Sequence, residues 1–473
     1  DQLFAGSSIG MTNTGNAEEG GRLGFVGRLK YDYANRYYIE GSFRYDGSDN
    51  FAPGHRWGFF PSVAAAWDIT EEPFFKNLNL KNINLLKLRA SYGTTGTETN
   101  VNRFGYLSTY NMVENAVCIG GNLISGFNEG ALVSPDLLSW YTRRSLNIGI
   151  DGSFLDNKLK GSADYFFYVT KGGLTSPADR YITPLGTKLP QIKSDNEHRR
   201  EGFELSLRWS DKIGSDIDYE IGANMISYRN LWVTNRGEGL SQLKNPYQRN
   251  THQSDYLGLY LLDNGLYQSI EQVLGVPRRP ESTETKLGDI VYQDINGDGK
   301  INSEDKVRYG MPIDPHFTYG VDFLFAYKGF TLSGLFYGTG KRHMMFGVNA
   351  RKAESQYVKN KFQLDYWRED NRNATFPRIS MVAGVNGENN RIESTFYLRN
   401  AAFLRLKNLS LTYDFKHKLL KSAKWLSTCQ VSLTGSNLFT ISGVSDYWDP
   451  ETTNTNGGYP TSRIYSLGVT LGF

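Results

Sequence analysis

Apolar and polar side chains alternate with period two along most of this chain, and that pattern constrains the fold more than any other feature. Tyr37, Ile39, Gly41, Phe43 and Tyr45 interleave with Tyr38, Glu40, Ser42, Arg44 and Asp46. Just upstream, Phe25, Gly27, Leu29, Tyr31 and Tyr33 interleave with Val26, Arg28, Lys30 and Asp32. A strand sends successive side chains to opposite faces, so each set reads as one face of a sheet. The alternation predicts thirteen strands, near 23–33, 37–46, 57–69, 85–95, 140–153, 158–170, 199–209, 217–230, 316–327, 330–340, 400–415, 428–439 and 463–473. No apolar run approaches the ~18–20 residues of a membrane-spanning helix. Aromatics at 14% and 50 glycines suit strands and turns rather than a disordered chain.

The connections are as informative. Links near 154–157, 210–216 and 328–329 are short, and those near 96–139, 171–198, 231–315 and 341–399 are long. Short and long mostly alternate, less regularly over the first four. A meander with short turns at one end and long loops at the other is the plan of an outer-membrane barrel. The faces agree. Arg28, Lys30, Glu40, Arg44, Lys87, Arg89, Lys160, Asp164, Glu204, Arg208, Glu220 and Asp322 all fall on the polar set. A packed soluble core does not house that many charges, whereas a watery lumen does. A midplane Lys or Arg on the lipid face would cost about 2–4 kcal/mol. Aromatic residues gather at strand ends, as at Tyr31, Tyr33, Tyr45, Trp67, Tyr92, Trp209 and Tyr327, where rings favour the headgroup level. The last strand has Tyr465, Leu467, Val469, Leu471 and Phe473 on one face, and Ser466, Gly468, Thr470 and Gly472 on the other.

If the short turns are periplasmic, strand 13 ends there and strand 1 starts outside. Residues 1–22 are then expected to begin in an extracellular loop, with 23–473 forming the wall. Thirteen strands with an outside start do not close by themselves, so an odd number is expected from elsewhere. Asp1 opens a polar, Gly-rich stretch, which reads as a chain whose leader is removed or that starts within a larger protein.

Other classes fit less well. The charges nearly cancel, 52 basic against 49 acidic for a net of +3, which argues against a nucleic-acid binder. Cys118 and Cys429 make neither a disulfide framework nor a CxxC pair. The six histidines (His55, His198, His252, His316, His343, His417) form no ligand pair, and there is no P-loop or G-x-S-x-G elbow. No catalytic residues are expected.

One segment has a metal-ligand spacing, D-I-N-G-D-G-K-I-N-S-E-D at 294–305. Asp294, Asn296 and Asp298 occupy positions 1, 3 and 5 of a calcium loop, and Gly299 supplies the turn at 6. Lys300 offers its carbonyl at 7, Asn302 holds position 9 and Asp305 position 12. The expected cofactor is a structural Ca²⁺ that stiffens the long 231–315 loop. Asp at position 12 reaches less far than the usual Glu. Long-loop aromatics, among them Tyr247, Tyr256, Tyr260, Tyr267, Tyr366, Trp367, Tyr447, Trp448 and Tyr459, either stack on ligand or pack the loops together. A short helix is expected over 352–368.

Motifs in a fixed order carry a resemblance. They are G-F-V-G-R-L-K-Y-D-Y (24–33), R-Y-D-G-S-D-N-F-A-P-G-H-R-W-G-F-F-P-S-V (44–63), L-R-A-S-Y-G-T-T-G (88–96), R-R-E-G-F-E-L (199–205) and G-D-I-V-Y-Q-D-I-N-G-D-G-K-I-N-S-E-D (288–305). P-H-F-T-Y-G (315–320), F-L-R-L-K-N-L-S-L-T-Y (403–413), G-S-N-L-F-T (435–440) and D-P-E (449–451) follow. This set resembles the C-terminal half of the SusC/RagA family of TonB-dependent outer-membrane transporters from Bacteroidetes-type Gram-negative bacteria. The resemblance implies a 22-stranded antiparallel barrel, of which nine strands, the plug and the TonB-contact segment are not in this chain. It implies uptake of an oligosaccharide, or of a peptide, with a SusD-like surface lipoprotein as lid and the TonB complex acting through the plug. It also implies contact with membrane lipid or lipopolysaccharide, and no enzyme activity. The rivals are a passive porin, which would close without a plug, and a secreted β-rich glycan hydrolase or adhesin with a calcium loop, which would dissolve without detergent.

Overall fold

All thirteen expected strands form, and they join into one antiparallel sheet. The computed structural model describes residues 19–98, 101, 106–107, 110–129, 138–175, 192–352, 361–380, 385–444, 447–452, 459 and 461–473. Most of the expected outer segment 1–22 lies outside these described residues. The strands are β1 (Arg22–Tyr33), β2 (Tyr37–Ser48), β3 (Trp57–Asp68), β4 (Ile83–Thr97), β5 (Tyr141–Phe154), β6 (Leu159–Lys171) and β7 (Glu197–Ile213). After them come β8 (Ile217–Thr234), β9 (Phe317–Tyr327), β10 (Phe330–Thr339), β11 (Phe403–Asp414), β12 (Thr428–Ser442) and β13 (Ile464–Gly472). Each pairs with the next in chain order.

Register shows that the charges share a face. Cross-strand partners point the same way. Lys30 lies opposite Glu40, and Arg44 opposite Phe60. Arg89 faces Gly149, Gly149 faces Asp164 and Asp164 faces Glu204. Lys160 faces Arg208, Arg208 faces Gly222 and Gly222 faces Asp322. The other face is an exposed apolar band that includes Leu29 at 75% and Leu467 at 74% exposure. Lipid is the medium in which such a band is stable.

The links sort cleanly by end. Turns at 34–36, 155–158, 214–216 and 328–329 lie at one end, together with the longer 69–82 and 415–427. At Lys328–Gly329 both residues have positive φ, 46° and 87°, and these two alone join Tyr327 to its partner Phe330. That mirror-image turn matches the twist of the strands. The other six links, from 49–56 up to the longest, lie at the other end. β1 and β13 therefore run the same way, and the sheet leaves both as edges. Pairing them directly would make a parallel contact, so antiparallel closure takes an odd number of further strands.

Most large buried apolar side chains sit outside the sheet. Lipid can cover the apolar face of the strands, whereas loops in water must bury their own. Segments 258–315 and 343–400 share a core of Leu261, Leu266, Ile290, Tyr292, Ile301, Phe346, Trp367, Phe376 and Tyr397. Short ladders frame it: Gly258–Tyr260 with Val307–Tyr309, Asp263–Leu266 with Ile290–Tyr292, and His343–Met345 with Leu398–Asn400. Two loop expectations change. The helix over 352–368 reduces, among described residues, to one 3₁₀ turn at Lys361–Leu364, after which Trp367 bonds to the Phe376 carbonyl. The 96–139 link contains an unexpected hairpin, Tyr110–Ile119 with Asn122–Glu129, turning at Gly120–Gly121 where φ is 59° and 83°.

Candidate functional site

The polar face is wired by ion pairs across neighbouring strands. Arg28 donates to both carboxylate oxygens of Glu40, at 2.6 and 2.8 Å. Arg89 is shared, reaching Asp151 at 2.7 and 2.8 Å and Asp164 at 3.0 Å. Arg208 is shared in the same way between Glu220 and Asp322. These groups are partly exposed, so each pair adds little stability. Their effect is to order a hydrophilic wall.

At the long-loop end of β1–β4 this wall opens into a cavity of about 820 Å³, lined by Arg22, Arg44, Asp46, Asn50, Phe60, Thr95, Glu98 and Trp140 among others. Its back is aromatic. The Phe60 ring lies over Gly58 and Gly96, where a Cβ would overlap it. Trp140 meets Phe60 edge-on at 5.5 Å and Phe51 at 5.1 Å, and donates to the Arg56 carbonyl at 2.9 Å. The polar groups are held flat. Arg44 makes two bonds of 3.0 Å to Asp46. Glu98 pairs with Arg22 and accepts from Ser48 at 2.5 Å and Asn50 at 3.0 Å. Two guanidinium groups face two carboxylates, so these four groups carry no net charge. Of these residues the sequence marks only Arg44 and Asp46, as members of the polar face, because Phe60 and Trp140 read there as ordinary strand residues.

Elsewhere at the same long-loop end, segments 258–315 and 343–400 form a packed loop body. Its polar centre is Asp289, fully buried, which accepts from Arg378 at 2.5 and 3.2 Å, Asn390 at 2.8 Å, Asn386 at 2.7 Å and the Lys286 backbone at 2.9 Å. The last loop is tied to the wall. Arg405 on β11, 1% exposed, donates to Asp449 at 2.7 Å and pairs with Glu451, which also takes Lys407 at 3.2 Å. The loop aromatics divide. Tyr260, Tyr267 and Trp367 are buried, and Tyr366, Tyr447 and Trp448 pack on the core. Arg308 covers the Tyr256 ring. Tyr247 and Tyr459 remain exposed.

Segment 294–305 is a tight coil bonded to itself. Asp294 accepts from Gly297 at 2.7 Å and Gly299 at 2.8 Å, Asn296 from Asp298 at 3.0 Å, and Asp298 from Lys300 at 2.8 Å. Asn302 accepts from Glu304 at 2.7 Å. Asp305 is buried and accepts three backbone N–H groups, from Ile295, Asn296 and Asn302. With about four lone-pair positions on a carboxylate, these three bonds use three of those on Asp305. Among the described residues no three His, Cys, Asp or Glu side chains form a metal cluster. Cys118, exposed, and Cys429 are both free thiols.

Comparison with known proteins agrees with this architecture. Residues 3–438 match the family model described as TonB dependent receptor-like, beta-barrel. The chain is 27% identical to TonB-dependent receptor P3 of Formosa agariphila, over 99% of this chain and 47% of that protein. It is 26% identical to TonB-dependent receptor SusC of Bacteroides thetaiotaomicron, over 95% of this chain and 44% of that one. The chain thus spans less than half the length of these relatives. Among solved structures it superposes on the RagAB peptide importer in its open-open state with a TM-score of 0.74 and 22% identity, over 98% of this chain and 49% of that one, a likeness of fold. The chain belongs to the TonB-dependent receptor β-barrel family, whose members are outer-membrane proteins and not enzymes.

Proposed function

We propose that this chain is the mouth-bearing wall of a nutrient importer, and that its cargo is an oligosaccharide. The cavity at β1–β4 supports this reading best. Sugars offer apolar C–H faces to aromatic rings and adjacent hydroxyls to planar bidentate groups. The Phe60–Trp140 corner and the Arg44–Asp46 and Arg22–Glu98 pairs supply both, without net charge. The remaining strands, a plug and TonB would complete the machine, and a SusD-like lipoprotein would close it. Binding of a panel of neutral oligosaccharides to the full-length transporter in detergent tests this. Trp140→Ala is expected to weaken binding roughly tenfold or more, while Leu467→Ala on the lipid face leaves it unchanged. No binder in the panel, or a binder indifferent to Trp140, overturns the reading.

A peptide cargo has one observation in its favour. A cleft of about 430 Å³ on the loop body is lined by Leu257, Ile313, Met344, Val348 and the Arg351–Glu393 pair, walls that suit apolar side chains. The RagAB structures that share this fold are those of a peptide importer.

We further propose that 294–305 takes Ca²⁺. The spacing of Asp294, Asn296 and Asp298, with the Lys300 carbonyl and Asn302, supports it, and the single free position on Asp305 makes the site weak. Since the coil already closes on its own bonds, chelation is expected to loosen it only slightly. A shift in loop protease sensitivity of less than about fivefold on adding EDTA checks this, as an ion present at no more than about four times its Kd adds at most about 1 kcal/mol. Unfolding of the loop body by EDTA would show a stronger site than proposed.

A further inference from the structure

We propose that residues 310–316, the strap leading into β9, are a proton-operated latch beside the apolar cleft of the loop body, docked while the His343 ring is neutral and loosened at its tip when that ring is protonated. The proposal concerns regulation of the mouth and holds for either cargo.

The geometry at the tip requires a neutral ring. The Met311 backbone N–H donates to His343 Nδ1 at 2.8 Å, and the His343 N–H donates back to the Met311 carbonyl at 3.1 Å. A backbone N–H has no acceptor capacity, so Nδ1 must be unprotonated. Protonation sets two donors against each other and removes one of the two bonds. Nearby packing transmits the change. Gly310 lies between Leu257 and the His343 side chain, and Ile313 and Met344 line the cleft beneath.

The groups facing the ring add no acid to hold a charge there. Tyr309 stands 6.3 Å from it, and Lys341 is the charged group that acts on it. Arg342, next in sequence, is buried and sits in the field of Tyr337, Asp314 and Glu451. Burial first, and Lys341 second, push the His343 imidazole below its ordinary value of 6.5. The docked contact is therefore complete above about pH 6.5 and weakens as pH falls below it.

The foot of the strap behaves differently. His316 holds Tyr228 through its backbone carbonyl at 2.8 Å, a bond that protonation does not touch. Its ring packs on Tyr228 at 4.8 Å, and Asp255 lies 3.9 Å away. Burial pushes His316 down, Asp255 and Asp314 oppose this, and Arg200 adds to it. A proton that does arrive there meets Asp255. The foot thus keeps its anchor, while the tip loses the ring bond and is held only by the backbone bonds from His343 to the Met311 carbonyl and from Leu257 to the Gly310 carbonyl.

Hydrogen exchange of the full-length transporter, corrected for intrinsic pH dependence, reads the Met311 amide directly. Between about pH 7.5 and about pH 5, its protection is expected to fall roughly tenfold, with the core amides Ile290 and Tyr292 unchanged. His343→Asn keeps an acceptor oxygen near the place of Nδ1 and cannot titrate, so its protection should stay flat. His343→Phe should lose protection at every pH, with Ile290 and Tyr292 reporting that the loop body remains folded. Wild-type protection that ignores pH, or an Asn variant that follows the wild type, overturns the latch.

Discussion

Asp289→Ala is expected to unfold the loop body over the mouth while leaving the barrel wall intact. Five donors from three chain segments converge on this one buried carboxylate. Removing it strands the Arg378 guanidinium, itself only 16% exposed. Breaking a buried pair by deleting one partner costs about 3–5 kcal/mol. Spread over a locally unfolding unit, that is roughly a hundred- to several-thousandfold more exposure of the 262–292 and 376–398 segments to protease or exchange. Asp289→Asn should be nearly as damaging. Its amide NH₂ would replace an acceptor oxygen that takes either the Arg378 Nε and Asn390 bonds or the Arg378 Nη2, Asn386 and Lys286 bonds. The strands should keep their resistance to heat and detergent, because their ladders do not pass through Asp289. An Asn variant as stable as wild type would show that shape rather than charge holds the node.

The wall was legible in the sequence, and the site was not. Period two located all thirteen strands and assigned their faces, because a strand's neighbours on one face are fixed locally. It also exposed the odd strand count. Strand ends were read short where the ladders run on into the loop end, as at β8, which reaches Thr234 rather than 230. The loop body has no period. Phe346 meets Tyr397 and Trp448, and Asp289 meets Arg378 and Asn390, across 51 to 102 residues of chain. One signal was available: a lone Asp at 289 and the amide-rich V-N-G-E-N-N-R at 385–391 are what a buried carboxylate and its donors look like. The loop rings read in the sequence as ligand platforms or as packing, and most of them pack. The aromatic corner of the cavity was hidden for the opposite reason. Phe60 and Trp140 blend into strand patterns 80 residues apart, and the glycines that bed the ring, Gly58 and Gly96, resemble any strand glycine until register brings them together.

Arg405→Ala is expected to release the last extracellular loop from the wall. Arg405 is the most deeply buried guanidinium on the polar face, and the loop bends back to it through Asp449 and Glu451. Burial pushes the Asp449 carboxyl up, but the Glu451 backbone N–H and Arg405 outweigh it and hold the group below the usual carboxylate range. The sign follows. A depressed carboxylate stabilises the docked loop above its ordinary value near 3.8, and that contribution is lost only as pH falls through the lower docked value. The wild-type loop should therefore stay docked at all but strongly acidic pH. Without Arg405 the two acids face each other with Lys407 alone, and the loop should open at neutral pH, a loss of about 3–5 kcal/mol. Two measurements separate a specific tie from general damage. A cysteine-reactive probe at Val444→Cys, buried in the docked loop, should label fast in the Arg405→Ala background and slowly in the wild-type background. The free Cys118 and Cys429 give a constant background in both. In a double-mutant cycle, Arg405→Ala with Asp449→Ala should cost less than the sum of the two single changes by about 1–3 kcal/mol, the coupling of groups in direct contact. Strict additivity would mean that the loop is held by its packing around Val444, Ala401 and Met344, and that the ion pairs only follow.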